Sequence, residues 1–172
     1  MTRLTKTTAR LFGHLTWALG GVLLQLVACT SIECPLQNEV STCYSLYTGE
    51  QADTLRDTLN ILTRRSDGVD TVLLNRGINL TSFKLPISCQ SPEDTLIFAI
   101  NDTLGQHTTD TVWLRKTDLP HFESVDCQAL FYHQIEGVRT THQRIDTIII
   151  KRSFVDNDLS SPHFHISFKA RP

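Results

Sequence analysis

The chain has 172 residues, a formal net charge of −2 and 40% hydrophobic residues, enough for one domain with a sizeable core. The first 28 residues carry three basic residues and no acidic one, so the remainder has a net charge of −5. A mildly acidic domain offers no electrostatic footprint for nucleic acid, and we do not expect nucleic acid as a partner.

The chain begins with the layout of a secretory signal peptide. Arg3, Lys6 and Arg10 precede a stretch from Leu11 to Ile32 that contains no Asp, Glu, Lys or Arg. A basic segment followed by an apolar segment and small residues is typical of an exported precursor. A permanent membrane helix is the alternative, but Gly20-Gly21 dilutes the apolar run and no basic cluster follows it.

The apolar run ends in Leu26-Val27-Ala28-Cys29, which resembles the bacterial lipobox. A thiol is nucleophilic enough to take a diacylglycerol as a thioether, and the small Ala28 fits a peptidase that cuts before the modified cysteine. We therefore predict a signal peptide over residues 1–28, lipidation of Cys29, a lipidated tether over residues 29–38 and a domain over residues 39–172. Two or three acyl chains would anchor that domain stably to a membrane.

Four further cysteines remain, and an even number in an exported domain is typical of two disulfides. Sequence alone leaves three pairings open, and we favour Cys34 with Cys127 and Cys43 with Cys89. The first bridge would close a loop of about 90 residues, which is worth roughly 4–5 kcal/mol in the chain-entropy model. Free buried thiols are one alternative. A zinc site is another, although no Cys-x-x-Cys spacing supports it.

The remainder of the chain is dominated by short segments rich in β-branched and aromatic residues, with turn residues between them. The predicted strands are Thr42–Thr48, Thr58–Thr63, Thr71–Asn75, Ser82–Pro86, Thr95–Asn101, Thr111–Arg115, His121–Val125, Leu130–Gly137, Ile145–Lys151 and Phe164–Lys169.

This pattern predicts an all-β fold, a single antiparallel β-sandwich of immunoglobulin-like type. Glu136-Gly137 is predicted to form a turn between two long strands, and Asp118-Leu119-Pro120 a second turn. Only Gln51–Leu62 has a pattern in which a helix competes with a strand.

Asp-Thr followed by an aliphatic residue occurs seven times. One interpretation is structural: Asp closes a turn, Thr opens a strand and the aliphatic residue enters the core. The other is that the motif resembles the O-glycosylation sequon of Bacteroidetes envelope proteins, with exposed Thr hydroxyls as acceptors. A calcium site is a weaker third option, because no loop carries the alternating series that calcium needs. The candidate acceptors are Thr54, Thr58, Thr71, Thr95, Thr103, Thr111 and Thr147.

Catalytic and metal signatures are weak. Convergence of three histidines would make a metal site, but scattered polar-face histidines are the commoner explanation, and we predict no metal and no cofactor. No nucleophile elbow, Gly-rich phosphate loop or paired carboxylates appear, so we predict no enzymatic activity. The histidines concerned are His121, His133, His142, His163 and His165.

Six short segments occur in order along the chain: Glu33-Cys34-Pro35, Thr71-Val72-Leu73-Leu74-Asn75, Leu119-Pro120-His121-Phe122, Asp126-Cys127, Gly137-Val138-Arg139-Thr140 and Ile145-Asp146-Thr147-Ile148. In this order they resemble a family of uncharacterised Bacteroidetes lipoproteins, domain of unknown function 6452. The resemblance implies a lipid anchor, a small all-β domain and no assigned activity.

The residue after Cys29 bears on sorting. By the usual rule, such lipoproteins reach the outer membrane unless an acidic residue follows the lipidated cysteine, and here Thr30 follows. The sequence signal for surface display in such lipoproteins resembles a run of acidic residues just after the cysteine. This chain has only one acidic residue there, Glu33. We therefore expect an outer-membrane anchor with the domain on the periplasmic face.

The function expected from the sequence is a non-enzymatic envelope lipoprotein that acts as a structural or interaction module. Its partners would be the membrane, through the lipid anchor, and an unidentified envelope protein or glycan. A glycan- or peptide-binding surface lipoprotein is the alternative, and it requires Trp113, Phe131 and Tyr132 to form an exposed aromatic platform. A hydrolase that uses the histidines is the third hypothesis.

Overall fold

The computed structural model describes residues 40–64, 68–122, 127 and 129–169, which all belong to one compact unit. Within these ranges the chain forms β-strands and no helix, so no described helix could span a membrane. The strands are β1 (Ser41–Thr48), β2 (Gln51–Ala52), β3 (Thr58–Arg64), β4 (Asp70–Gly77), β5 (Ser82–Pro86), β6 (Glu93–Asn101), β7 (His107–His121), β8 (Leu130–Thr140), β9 (Ile145–Ile150), β10 (Phe154–Val155) and β11 (Phe164–Phe168).

The strands assemble into two sheets. The first has the order β2-β1-β11-β9, with β5 also paired to β1, and the second has the order β10-β8-β7-β6-β3-β4. Every pairing is antiparallel except that of β1 with β11, which is parallel. The all-β prediction is therefore confirmed, and the expectation of a wholly antiparallel arrangement is wrong for this one pair.

One hydrophobic core takes side chains from both sheets. In β6, the alternating pattern buries Leu96, Phe98 and Ile100 while their neighbours stay partly exposed. Phe83 of β5 lies edge-on to Phe98 of β6, with ring centroids 6.1 Å apart, and stacks on Tyr44 of β1 at 4.9 Å. Full burial of each such side chain stabilises the fold by about 1.5–3 kcal/mol.

Two predicted turns are instead parts of long strands. Thr111–Arg115 and His121–Val125 were expected as separate strands, but β7 runs unbroken through the Asp118–Pro120 segment to His121. Glu136 and Gly137 lie inside β8, where the pairing with β7 shifts register at a β-bulge. A bulge accommodates the glycine without reversing the chain. The Gln51–Leu62 segment contains β2 and the start of β3, so the strand interpretation is correct there.

The predicted bridge between Cys43 and Cys89 is wrong, because both are free thiols. The N–H of Ile87 donates to the carbonyl of Val40 at 3.2 Å, which places these two residues side by side on antiparallel segments. Cys43 lies three residues after Val40, and Cys89 lies two residues after Ile87. Because the two segments run in opposite directions, the cysteines are offset from each other by five residues. At about 3.3 Å per residue they lie roughly 16 Å apart, beyond the Cα separation that a disulfide allows.

The other predicted bridge falls partly outside the described residues. Cys127 is disulfide-bonded. Cys34, its predicted partner, and Cys29, the predicted lipidation site, lie among residues 1–39, outside the described ranges. The Cys34–Cys127 pairing, the signal peptide and the lipid anchor therefore stay predictions.

Candidate functional site

A cavity of about 340 Å³ lies where the start of β1 and the end of β5 meet the second sheet. We call it the end cavity. Its size is within the range of small-molecule sites, and its lining combines apolar side chains with a few polar ones. The lining includes the apolar residues Val40, Leu73, Leu96 and Phe131 and the polar residues Asp94 and His133.

Four buried or largely buried polar residues from three adjacent strands lie beside this cavity: Asp94 of β6, Lys116 and Asp118 of β7, and His133 of β8. We call them the polar cluster. The Lys116 ammonium donates to Asp118 Oδ1 at 3.0 Å, and His133 Nδ1 lies 2.7 Å from the same oxygen. Because Nδ1–H donates to a carboxylate, Nε2 of His133 keeps its lone pair.

The strand pattern explains why these polar residues face inward. In β7, Asp110, Val112, Leu114 and Lys116 are all buried, so Lys116 continues the core-facing side of the strand. Pairing then places Asp118 opposite His133. A buried ammonium is tolerated only with partners, and Lys116 has two, Asp118 and the carbonyl of Ser91 at 2.7 Å.

Burial has the largest effect on the pKa values of Asp94 and His133, which both line the end cavity. It raises the pKa of Asp94, an effect opposed by the positive charge of Lys116 and by the Ser88 N–H. Burial lowers the pKa of His133, while Asp118 opposes this shift. At neutral pH the imidazole is therefore uncharged, and Asp94 is the carboxyl group of the lining.

The rim of the end cavity is the loop over residues 87–92, which the polar cluster holds in place. The N–H of Ser88 donates to Asp94 Oδ2 at 3.1 Å, and the N–H of Lys116 donates to the carbonyl of Pro92 at 2.9 Å. Cys89 lies on this rim as an exposed free thiol. Its reactivity can therefore report whether the cavity is occupied.

A second cavity of about 380 Å³ is lined by an internal ion pair. Arg144 Nη2 lies 2.8 Å from Asp57 Oδ2, and the Arg144 N–H donates to Asp110. Asp110 Oδ1 and Oδ2 also accept from Thr141 and from the backbone of Gln143 and Ile145. These groups hold the connection between β8 and β9. Arg56 and Lys169 also line this cavity.

The five histidines do not converge. His133 pairs with Asp118, His163 is buried against the Cys43 N–H at 3.0 Å, and His165 stacks on Tyr47. His121 stacks on Tyr132, and Nδ1 of His142 lies near the carbonyl of Asp146. In the described ranges, no group of three or more His, Cys, Asp or Glu residues is placed to hold a metal ion.

The aromatic residues expected as a platform lie apart. Arg139 covers Trp113 at 4.5 Å, Phe131 lines the end cavity, and Tyr132 is half-buried between His121 and Phe154. Trp113 and Leu119, which pairs with Tyr132, are six residues apart on β7, or about 20 Å. A single binding platform from these three side chains is therefore excluded.

The Asp-Thr motifs divide into two groups. Asp57, Asp94 and Asp110 are buried on the same side as the next aliphatic residue, and Asp94 closes the preceding loop by accepting the Ser88 N–H at 3.1 Å. Asp102 does close a turn, since it accepts from the N–H groups of Leu104 and Gln106. All seven threonines are at least partly exposed, and modification of Thr54, Thr58, Thr71, Thr95, Thr103, Thr111 and Thr147 stays a prediction.

Comparison with known families bears on the same region. A model for a family of unknown function, DUF6452, matches residues 58–168, which is more than half of the chain. The chain belongs to the DUF6452 family. The match runs from the first residue of β3 to the last of β11 and includes the whole polar cluster. No curated protein and no solved structure matches this DUF6452 chain.

Sequence reasoning missed three of the four members of the polar cluster in the DUF6452 chain. The sequence pattern predicts no role for Lys116, places Asp118 in a turn and marks Asp94 only as part of the repeated Asp-Thr motif. The signal was the period-two spacing from Asp110 through Lys116 to Asp118, which continues the core-facing side of β7. His133 was singled out, but for metal binding.

Proposed function

We propose that this DUF6452 protein is a lipid-anchored, non-enzymatic binding module of the bacterial envelope, and that the end cavity is its ligand site. Cys29 carries the lipid and the domain faces the periplasm from the outer membrane. The support for the anchor is the leader and lipobox-like sequence. The support for binding is the cavity with its fixed polar cluster.

The observation that carries the binding proposal is the commitment of the polar cluster to internal contacts. His133 and Lys116 both contact the same oxygen of Asp118. Nucleophilic catalysis requires a nucleophile that lies beside its general base. In the described residues, no hydrogen bond joins the Cys89 thiol to His133. A fixed arrangement of this kind orients a ligand, which is what a binding site requires.

We also propose that the two sheets pack as an immunoglobulin-like β-sandwich. One core cluster shared by both sheets and the Phe83–Phe98 contact between them support this arrangement. The first sheet differs from a purely antiparallel sheet in one pair of strands, since β1 and β11 are parallel.

A second candidate function is recognition of a glycan or peptide on the outer face of β7 and β8. Tyr132 packs edge-on against Phe154 at 5.8 Å, and Leu119, Phe122 and Phe154 are exposed large hydrophobic residues. Apolar patches of this kind mark interaction sites more often than chance. Loss of partner capture on Phe154→Ala, with capture retained when the end cavity is blocked, would favour this function over the first.

Mass spectrometry of the protein from its native envelope tests the anchor. We expect an amino terminus at residue 29 that carries acyl masses on the cysteine. A Cys29→Ala variant should keep its leader and lose the acyl masses. An unmodified protein that retains Met1 would contradict the proposal.

A pull-down from the same envelope tests the binding site. Thr71 is exposed on β4 and lines the end cavity, so Thr71→Trp should block the cavity with little damage to the core. Thr147→Trp is the matched control, since Thr147 is exposed on β9 of the other sheet. We expect compounds or proteins captured by the wild type to be lost with Thr71→Trp alone. Equal capture by both variants would refute the cavity as the site.

A further inference from the structure

Asp94 is the carboxylate of the polar cluster that lines the end cavity. Its side chain is 9% exposed and lines the end cavity. Oδ2 accepts the Ser88 N–H at 3.1 Å, but no donor among the described residues reaches Oδ1. A carboxylate oxygen that lines a cavity can accept a charge-assisted hydrogen bond from a ligand donor.

The charge around Asp94 is also incompletely balanced. No Lys or Arg of the described ranges lines the end cavity, and the nearby Lys116 ammonium is held by Asp118 and by the Ser91 carbonyl. In the described part of the chain, no basic side chain forms a contact ion pair with Asp94. A ligand cation would supply the missing countercharge in a low-dielectric setting, where a charge-assisted hydrogen bond is strongest.

Beside the polar residues of the lining, which include Thr63, Thr71 and Gln90, the end cavity has an apolar part. Val40, Leu73, Leu96 and Phe131 face the same space as Asp94. A ligand that fits both features has an apolar body and one positively charged end. Phe131 can additionally offer its ring face to a cation or to an aromatic body.

We propose that the end cavity binds small amphipathic cations, with a primary ammonium group donating to Asp94 Oδ1 and an apolar body packed against Leu96 and Phe131. The inference rests on the proposed binding function and adds the class of ligand. Only the ionised carboxylate pairs with the cation, so affinity increases with pH across the ionisation of Asp94 and binding releases a proton where Asp94 is protonated.

Three probes with the same phenylethyl body separate the head groups: 2-phenylethylammonium, 2-phenylethanol and 3-phenylpropanoate. Their dissociation constants would be measured by NMR titration of the mature lipidated protein in a nonionic detergent. We expect the cation to bind about tenfold more tightly than the alcohol, the factor for one charge-assisted contact worth about 1.4 kcal/mol. The carboxylate should bind most weakly.

Two substitutions identify the carboxylate responsible. Asp94→Asn should lower the affinity for the cation about tenfold and leave the affinity for the alcohol unchanged. Glu93→Gln is the matched control, since it removes the same charge from the neighbouring position, where Glu93 pairs with Arg139 outside the cavity. It should change neither affinity.

The outcomes that overturn the inference differ from those that overturn the proposed function. Equal binding of the cation and the alcohol, or an unchanged affinity in Asp94→Asn, refutes the ligand class while the cavity remains a binding site. If no probe binds the wild type, the ligand class is refuted and the pull-down alone decides the proposed function. If binding of the probes survives in Thr71→Trp, the end cavity is not the site and both proposals fail.

Discussion

His163 makes the stability of the fold depend on pH. Its side chain is fully buried, and Nδ1 accepts the Cys43 N–H at 3.0 Å. The guanidinium of Arg152 lies 2.8 Å from Nε2. Protonation of Nδ1 would bury a charge, add a cation beside Arg152 and turn the acceptor of the Cys43 bond into a donor.

Burial, assisted by the charge of Arg152, lowers the pKa of His163 from 6.5 to about 4. One unit corresponds to about 1.4 kcal/mol, so the neutral ring contributes about 3 kcal/mol to the free energy of unfolding. Since the pKa is lower in the folded state, the unfolded state binds more protons between pH 6.5 and pH 4. The contribution is complete above pH 6.5 and is lost as the pH falls towards 4.

Urea unfolding from pH 7 to pH 4, for the wild type and for His163→Asn, measures this effect. Asn keeps an acceptor for the Cys43 N–H and does not titrate, so the difference between the two proteins isolates His163 from the carboxylates. We expect the wild type to lose about 3 kcal/mol relative to the variant over this range. A difference that stays constant with pH would refute the assignment of His163 as a buried neutral acceptor.

Three further predictions concern other buried or exposed groups. Asp110→Asn should lower the free energy of unfolding, measured in urea, by about 3 kcal/mol, because it weakens the four charge-assisted hydrogen bonds that Asp110 accepts from residues 141–145. Asp70→Asn, at an exposed position, is the control, and an equal loss of stability there would contradict this reasoning. Iodoacetamide should modify Cys89 in the native protein and Cys43 only after unfolding, as read by peptide mass spectrometry; a lack of reaction at Cys89 would restore the rejected bridge. Lys116→Met should increase the pKa of His133 in an NMR titration, since the positive charge of Lys116 lowers it; an unchanged or lower value would contradict the proposed contacts.

The strands could be predicted from the sequence because apolar and polar residues alternate along most of them. The β6 segment carries Leu96, Phe98 and Ile100 on one face, and its predicted and observed bounds differ by two residues. The clearest failure was in β7, where Lys116 and Asp118 occupy core-facing positions. Polar residues followed by Pro120 are typical of a turn, and only the partners contributed by β6 and β8 make them stable inside.

Long-range pairing set the other limit on prediction. The cysteine count indicates disulfides but does not fix which cysteines approach each other, and the pairing of β5 with β1 keeps Cys43 and Cys89 apart. The end cavity depends in the same way on residues that are distant in sequence, from Val40 to His133. No local pattern reveals that Asp94 belongs to its lining.

The alkylation rate of Cys89 in intact native envelopes tests the central claim most directly, because this thiol lies on the rim of the end cavity. The rate should be compared with that of the purified protein from which small molecules have been removed. If the cavity holds a ligand in the envelope, Cys89 is protected there in proportion to occupancy, and protection disappears in Thr71→Trp. Equal rates in the envelope and after purification would contradict the assignment of the end cavity as the binding site.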